Sequence, residues 1–155
     1  MESIFKNVDE DATIKNAKKV LNEYRQWKLK ARQVSFSLQS PSYGWGPKGQ
    51  SYENTVDEKH VRKMTAEQMF QLTERVIRAV EIDDGTAIYS KLLWSKYVRH
   101  WTSVKCAEEL GLPERTFNTY HRTALLMFAE AYPPLVAKLV VTKYESEKRS
   151  SFTFQ

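Results

Sequence analysis

The stretch from Ser103 to Arg122, SVKCAEELGLPERTFNTYHR, constrains this chain more than any other. Val104, Ala107 and Leu110 recur at helical spacing, Gly111 suits a left-handed turn, and Leu112, Phe117 and Tyr120 restore an apolar face beyond it. A helix, a sharp turn and a second helix are predicted, with small Ala107 where the two helices cross. Left on the outside of the second helix are Arg115, Thr116, Asn118, Thr119 and Arg122, hydrogen-bonding types without an apolar patch. Base edges and phosphates call for such types. The pattern reads as a helix-turn-helix over 103–122 facing double-stranded DNA, weighed against an ordinary helical hairpin of a bundle.

At 155 residues the chain has the length of one domain and can bury roughly two-thirds of its unfolded surface. Five glycines and five prolines leave most of it free to be helical, so an all-α fold is predicted. Residues 11–34 form an amphipathic helix in this reading. Asp9, Glu10 and Asp11 suit its positive end, and Ile14, Ala17, Leu21, Tyr24 and Ala31 share one face, widened by Val20 and Trp27. Lys15, Lys18, Lys19, Arg25, Lys28 and Arg32 occupy the other face. Phosphates, a membrane surface or plain solvent all suit that face, solvent best and membrane least.

Residues 35–60 hold Pro41, Pro47, Gly44, Gly46 and Gly49 and show no sustained period. A long ordered loop is expected, packed down by Phe36, Tyr43, Trp45 and Tyr52. Its GWGPKG segment lacks the ending of a phosphate-binding loop. Thr65 with Gln68 looks like a capping box for a helix over 65–82 carrying Met69, Thr73, Val76, Ile77 and Val80. Asp83, Asp84 and Gly85 break it, and another helix follows from about Thr86 with Ile88, Leu92, Leu93 and Tyr97 inward. The second motif helix runs on to Pro133, so that Glu114 to Tyr132 extends about 28 Å. Its front is polar; Leu125, Met127, Phe128 and Tyr132 make its rear a core face. The expected organisation is 1–60 (helix and loop), 61–132 (helical bundle) and 133–155 (a tail that docks locally or engages another subunit), in one compact unit.

Against 19 acidic residues stand 24 basic ones, a net charge of +5 that favours an anionic partner without demanding one. A lone cysteine, Cys106, excludes an internal disulfide, suits a reducing compartment and reads as a small buried side chain. No apolar run is long enough to span a membrane, and a cytoplasmic protein is expected. His60, His100 and His121 lie far apart and show no metal-ligand spacing. Adjacent carboxylates such as Glu108 and Glu109 point about 100° apart on a helix and do not converge. Neither enzyme activity nor a cofactor is expected.

The segments LLWSKYV, CAEELGLPERTFNTY and RTALLMFAEAY resemble the ArpU family of phage transcriptional regulators of Gram-positive hosts, whose C-terminal half is similar to region 4 of bacterial sigma factors. The N-terminal helix and its SPSYGWGPKG loop are also similar to that family, and the likeness spans about 12–132. It implies a regulator, an activator by expectation, of late packaging, structural and lysis genes in the host cytoplasm, working alongside host RNA polymerase. Pro113 departs from the Ser or Thr that often caps such a recognition helix, which shifts any phosphate anchor to the backbone N–H groups of Glu114 and Arg115.

On this reading the helix from Glu114 enters the major groove, with Arg115 suited to guanine and Asn118 to adenine. Thr116, Thr119 and Arg122 lie beside them, Arg122 serving a base or a phosphate, and Glu114 accepts from cytosine or repels wrong bases. Arg99, His100, Ser103 and Lys105 are the candidate phosphate contacts, with His100 equally suited to cap the preceding helix. Each bidentate base contact discriminates by about 1–3 kcal/mol, whereas genomic specificity needs about 4–10. A homodimer or a joint complex with RNA polymerase follows. The competing readings are a DNA-packaging module like a terminase small subunit and a polymerase-binding adaptor that never touches DNA.

Overall fold

The structure is a computed structural model that describes residues 7–39, 64–80 and 87–152. Among these residues the fold is all-α, and the one trace of β pairing is an isolated antiparallel bridge between Val8 and Thr142. The first helix, α1 (Glu10–Gln39), starts where the Asp9 carboxylate accepts the Ala12 N–H at 3.1 Å. It runs to Gln39, past the predicted end at 34, because no proline or glycine intervenes before Pro41. The rest of the predicted loop, 40–60, lies outside the described residues.

Helix α2 (Ala66–Ala79) carries the predicted capping box: Gln68 N–H donates to the Thr65 hydroxyl and Thr65 N–H to the Gln68 side chain. Helix α3 (Ile88–Leu93) passes directly into a wide π turn, Trp94–Val98, closed by Arg99 N–H to the Trp94 carbonyl at 3.0 Å. His100 then takes a left-handed conformation (φ +58) and lets Trp101 N–H reach the Ser95 carbonyl. The remaining helices are α4 (Ser103–Leu110), α5 (Glu114–Ala131) and α6 (Lys143–Phe152).

One hydrophobic core joins these elements, from Ile14 of α1 to Leu139 of the tail. Ile14, Ala17, Leu21 and Tyr24 bury the predicted face of α1, which lies against α2, α5 and the π turn. Helix α5 also packs on α3, and its rear is buried more fully than a single stripe: Ala124, Leu125, Leu126, Phe128 and Ala129 are all inside. Leu126 rather than Met127, which is half-buried, belongs to that set. With neighbours on two sides, α5 needs apolar residues around most of its rear circumference.

The tail docks locally. Leu139 and Val141 are buried, Val141 N–H donates to the Thr13 hydroxyl, Asn16 Nδ2 donates to the Leu139 carbonyl, and Asp9 N–H to the Val141 carbonyl. Helix α6 then leaves the core with charged residues, anchored at its start by Thr142 and Glu145. There the Lys138 ammonium and the Thr142 donors pull the Glu145 carboxyl down to about 2.

Helices α4 and α5 meet at the predicted turn. Thr102 caps α4 by accepting the Lys105 N–H, and Gly111 closes it at φ +67. Gly111 N–H reaches the Glu108 carbonyl and Leu112 N–H the Ala107 carbonyl, the paired bonds of a Schellman ending. Cys106 and Ala107 are buried as expected, but Val104 is 65% exposed. The buried stripe of α4 therefore runs through Cys106, Ala107 and the half-buried Leu110, and Val104 lies about 100° round the helix from Ser103 on an open flank.

No atom lies within 4 Å of where a Cβ at Gly111 would sit, so the backbone alone sets the cost of a side chain there. Gly111→Ala should destabilise the fold by about 1 kcal/mol and Gly111→Asn by less, read as shifts of the urea midpoint at unchanged slope.

Candidate nucleic-acid interface

The exposed front of α5 is a product of its register. At about 100° per residue, Glu114, Asn118, Arg122, Arg115 and Thr119 fall within one sector, and all five are exposed. Thr116 lies about 200° from Glu114 and is half-buried, so it departs from the strip. Behind the strip, Phe117 is fully buried and Tyr120 packs on Tyr89 at 5.4 Å between ring centroids. The front side chains are thus held by a rear face that cannot rotate without exposing the core.

Pro113 occupies the N-cap of α5 with no side-chain cap bond, and the first intrahelical bond is Phe117 N–H to the Pro113 carbonyl at 2.8 Å. The N–H groups of Glu114, Arg115 and Thr116 therefore have no partner within the helix, and they point out of its positive end. Thr119 donates its hydroxyl back to the Arg115 carbonyl at 3.3 Å and keeps its lone pairs free to accept. Asn118 borders a shallow groove of about 210 Å³ between α4 and α5, shared with Ser103, Val104 and Glu114.

Arg122 is engaged within the chain. Its guanidinium pairs with Asp11 at 2.9 Å and Glu10 at 3.2 Å, tying the polar strip of α5 to the start of α1. Both carboxylates read from sequence as partners of the helix dipole alone. Nothing in a linear sequence pairs Arg122 with residues more than a hundred positions away. The pair is solvent-exposed and contributes roughly 0–1 kcal/mol.

The four candidate phosphate contacts cluster at the junction of the π turn and α4. Ser103 accepts from Lys96 Nζ at 2.8 Å, while the ammonium of Lys105 and the guanidinium of Arg99 lie 4.3 and 5.1 Å from the Trp101 ring centroid. His100 is exposed at its left-handed bend, and among the described residues no side-chain hydrogen bond joins it to the preceding helix. Lys96 escaped the sequence reading because its neighbours in LLWSKYV mark a core helix, and the π turn that rotates it toward Ser103 has no sequence signal.

Beneath the strip, His121 shares a 2.8 Å hydrogen bond with the Tyr97 hydroxyl and stacks on Phe117 at 5.8 Å between centroids. Burial, reinforced by the positive charges of Lys96 and Lys18, lowers its imidazole to about 4. Burial likewise pushes the Tyr97 hydroxyl up, so both groups are neutral at neutral pH. Among the described residues no cluster of three or more His, Cys, Asp or Glu side chains could hold a metal ion. No described helix is long and apolar enough to cross a membrane.

Fold and site together define an all-α chain that presents a polar helix face on a helix pair joined at the Gly111 turn. Over 132 residues, 83% of its own length and 93% of the relative's, the chain is 26% identical to the "Putative autolysin regulatory protein ArpU" of Streptococcus phage O1205. That relative is, by its name, a phage regulatory protein. No protein-family model matches the chain, and no solved structure is significantly similar to it.

His121 makes acid stability testable. The unfolded imidazole takes up its proton near the ordinary 6.5 and the folded one only near 4, so the unfolded state binds more protons between them. The neutral histidine's contribution is complete above 6.5 and is lost as the pH falls through 4. His121→Gln should therefore lose less stability than the parent chain between about pH 7 and about pH 4.5, measured by urea denaturation.

Proposed function

We propose that this chain is an ArpU-family transcriptional regulator that binds DNA in a sequence-specific manner, with α4, the Gly111 turn and α5 acting as a helix-turn-helix. The observation that carries the proposal is the front of α5: Glu114, Arg115, Asn118 and Thr119 form an exposed hydrogen-bonding strip on a helix whose rear is locked in the core. The likeness to a phage regulatory protein along most of both chains supports the regulatory role. Control of late packaging and lysis genes, as an activator, is the task this reading assigns.

In the mechanism, α5 lies in the major groove and its uncapped N-terminal N–H groups grip a phosphate, the anchor that Pro113 leaves open. Arg115 offers two parallel donors to guanine and Asn118 a donor and acceptor to adenine. Glu114 accepts from cytosine, and Thr119 uses its free lone pairs. Arg99, His100, Ser103 and Lys105 meet the sugar-phosphate backbone on one side, joined by Lys96 through Ser103. Arg122 exchanges its exposed carboxylates for a phosphate at little cost, since the pairs it gives up are weak. Too few base contacts are present for genomic specificity by one copy, so the working species is a dimer or a complex with host RNA polymerase.

Binding-site selection from sheared phage and host DNA at fixed salt checks this. The parent chain should enrich one sequence motif. Arg115→Ala and Asn118→Ala should each weaken binding to it by about tenfold or more and relax different base positions. Lys105→Ala should weaken all sequences alike and flatten the salt dependence. Failure of the parent chain to enrich any motif would overturn sequence-specific reading by α5.

A further inference from the structure

Helix α4 has two flanks. Val104, Ala107 and Glu108 border the groove shared with α5, while Glu109 and Leu110 border a different cleft, of about 440 Å³, between α4, the end of α2, α3 and the π turn. Its apolar walls are the half-buried indoles of Trp94 and Trp101. Around them stand Arg78, Lys91 and Arg99, with Glu109 the single carboxylate of the lining. The Arg78 guanidinium lies 5.3 Å from the Trp94 ring centroid and that of Arg99 5.1 Å from Trp101. Among the described residues, none of the three cations has a carboxylate partner.

Those features select a class of ligand. A guanidinium beside an indole face keeps its N–H edges free, and such edges suit the two oxygens of a carboxylate. The indoles, flat and half-buried, suit an apolar or aromatic side chain placed between the charges. Duplex DNA would satisfy the cations but not the indoles, because its bases are stacked inside the helix and only phosphates and sugars would face the cleft. We infer that the Trp94–Trp101 cleft is a docking site for an acidic segment of a protein partner, with carboxylates on Arg78, Lys91 and Arg99 and an apolar side chain between the indoles. The inference goes beyond DNA reading, and it uses the flank of α4 that the reading helix leaves open. A regulator built this way holds its partner protein and its operator on adjoining surfaces of α4, with Arg99 at the boundary between them.

The test uses the full chain with indole 15N labels and two probes. One is a peptide of about twelve residues in which Asp and Glu alternate with Leu and Phe, with its Lys-substituted counterpart as control; the other is a random-sequence duplex. The acidic peptide should move the indole resonances of Trp94 and Trp101 and leave Trp27 in place, and the Lys counterpart should move none. Arg78→Glu and Lys91→Glu should each weaken peptide binding by about tenfold while leaving duplex binding within about twofold. Lys91 is exposed, so Lys91→Glu decides the matter if Arg78→Glu does not fold. An acidic peptide that leaves both indoles unmoved would overturn the proposal, as would a duplex that moves them and loses affinity in Lys91→Glu.

Discussion

The burial of α5 is the constraint on which everything else depends. Its rear half packs on both α1 and α3, and Ala17, Ala124 and Ala129 are buried in the shared core along with Leu21, Leu125 and Phe128. Small residues at a helix contact let the axes approach closely, and large ones beside them fill the remaining space. Removing a buried Leu or Phe there costs about 2–5 kcal/mol, a large share of the stability of a chain this size. Rotation of α5 about its axis is thereby blocked, and the front residues inherit their direction from the rear.

Two weaker ties set the position of α1 relative to that helix. Its first turn is held from one side by Arg122 through Glu10 and Asp11, and from the other by the tail through Thr13 and Asn16. The tail contact is part-buried and uses backbone groups that would otherwise lie unsatisfied, so it contributes more than the exposed ion pair does. The start of α1 is therefore a junction where the tail and α5 meet. A ligand that draws Arg122 away leaves the tail contact to keep α1 in place.

Around α4 the organising groups are aromatic and cationic. Trp101 gathers Arg99 and Lys105, Trp94 gathers Arg78, and Lys96 reaches across to Ser103. The π turn and the left-handed bend at His100 create this arrangement by carrying the chain from α3 into α4 within a few residues. A regular α-helix through Trp94–Val98 would have placed Lys96 and Arg99 at different angles, about 100° per residue apart in a fixed spiral. Basic residues thus gather at the start of α4 and beside the cleft it shares with α3.

Sequence alone determined the elements that rest on local physics. The capping box at Thr65, the glycine turn at 111, the stop before Pro133, the buried stripe of α1 and the polar front of α5 each follow from residues a few positions apart. The reach of α1 to Gln39, the exposure of Val104 and the half-burial of Thr116 were misread because a periodic pattern shows a helix without fixing its limits or the angle at which neighbours cover it. Tertiary structure decided the rest: the pairing of Arg122 with Glu10 and Asp11, the docking of the tail on Thr13, the burial that keeps His121 neutral, and the meeting of Arg78 with Trp94 and of Arg99 with Trp101. Most of these join residues far apart along the chain, and the others depend on packing or on a local bend. Electrostatic and aromatic contacts depend on distance in space, which only the packed chain supplies.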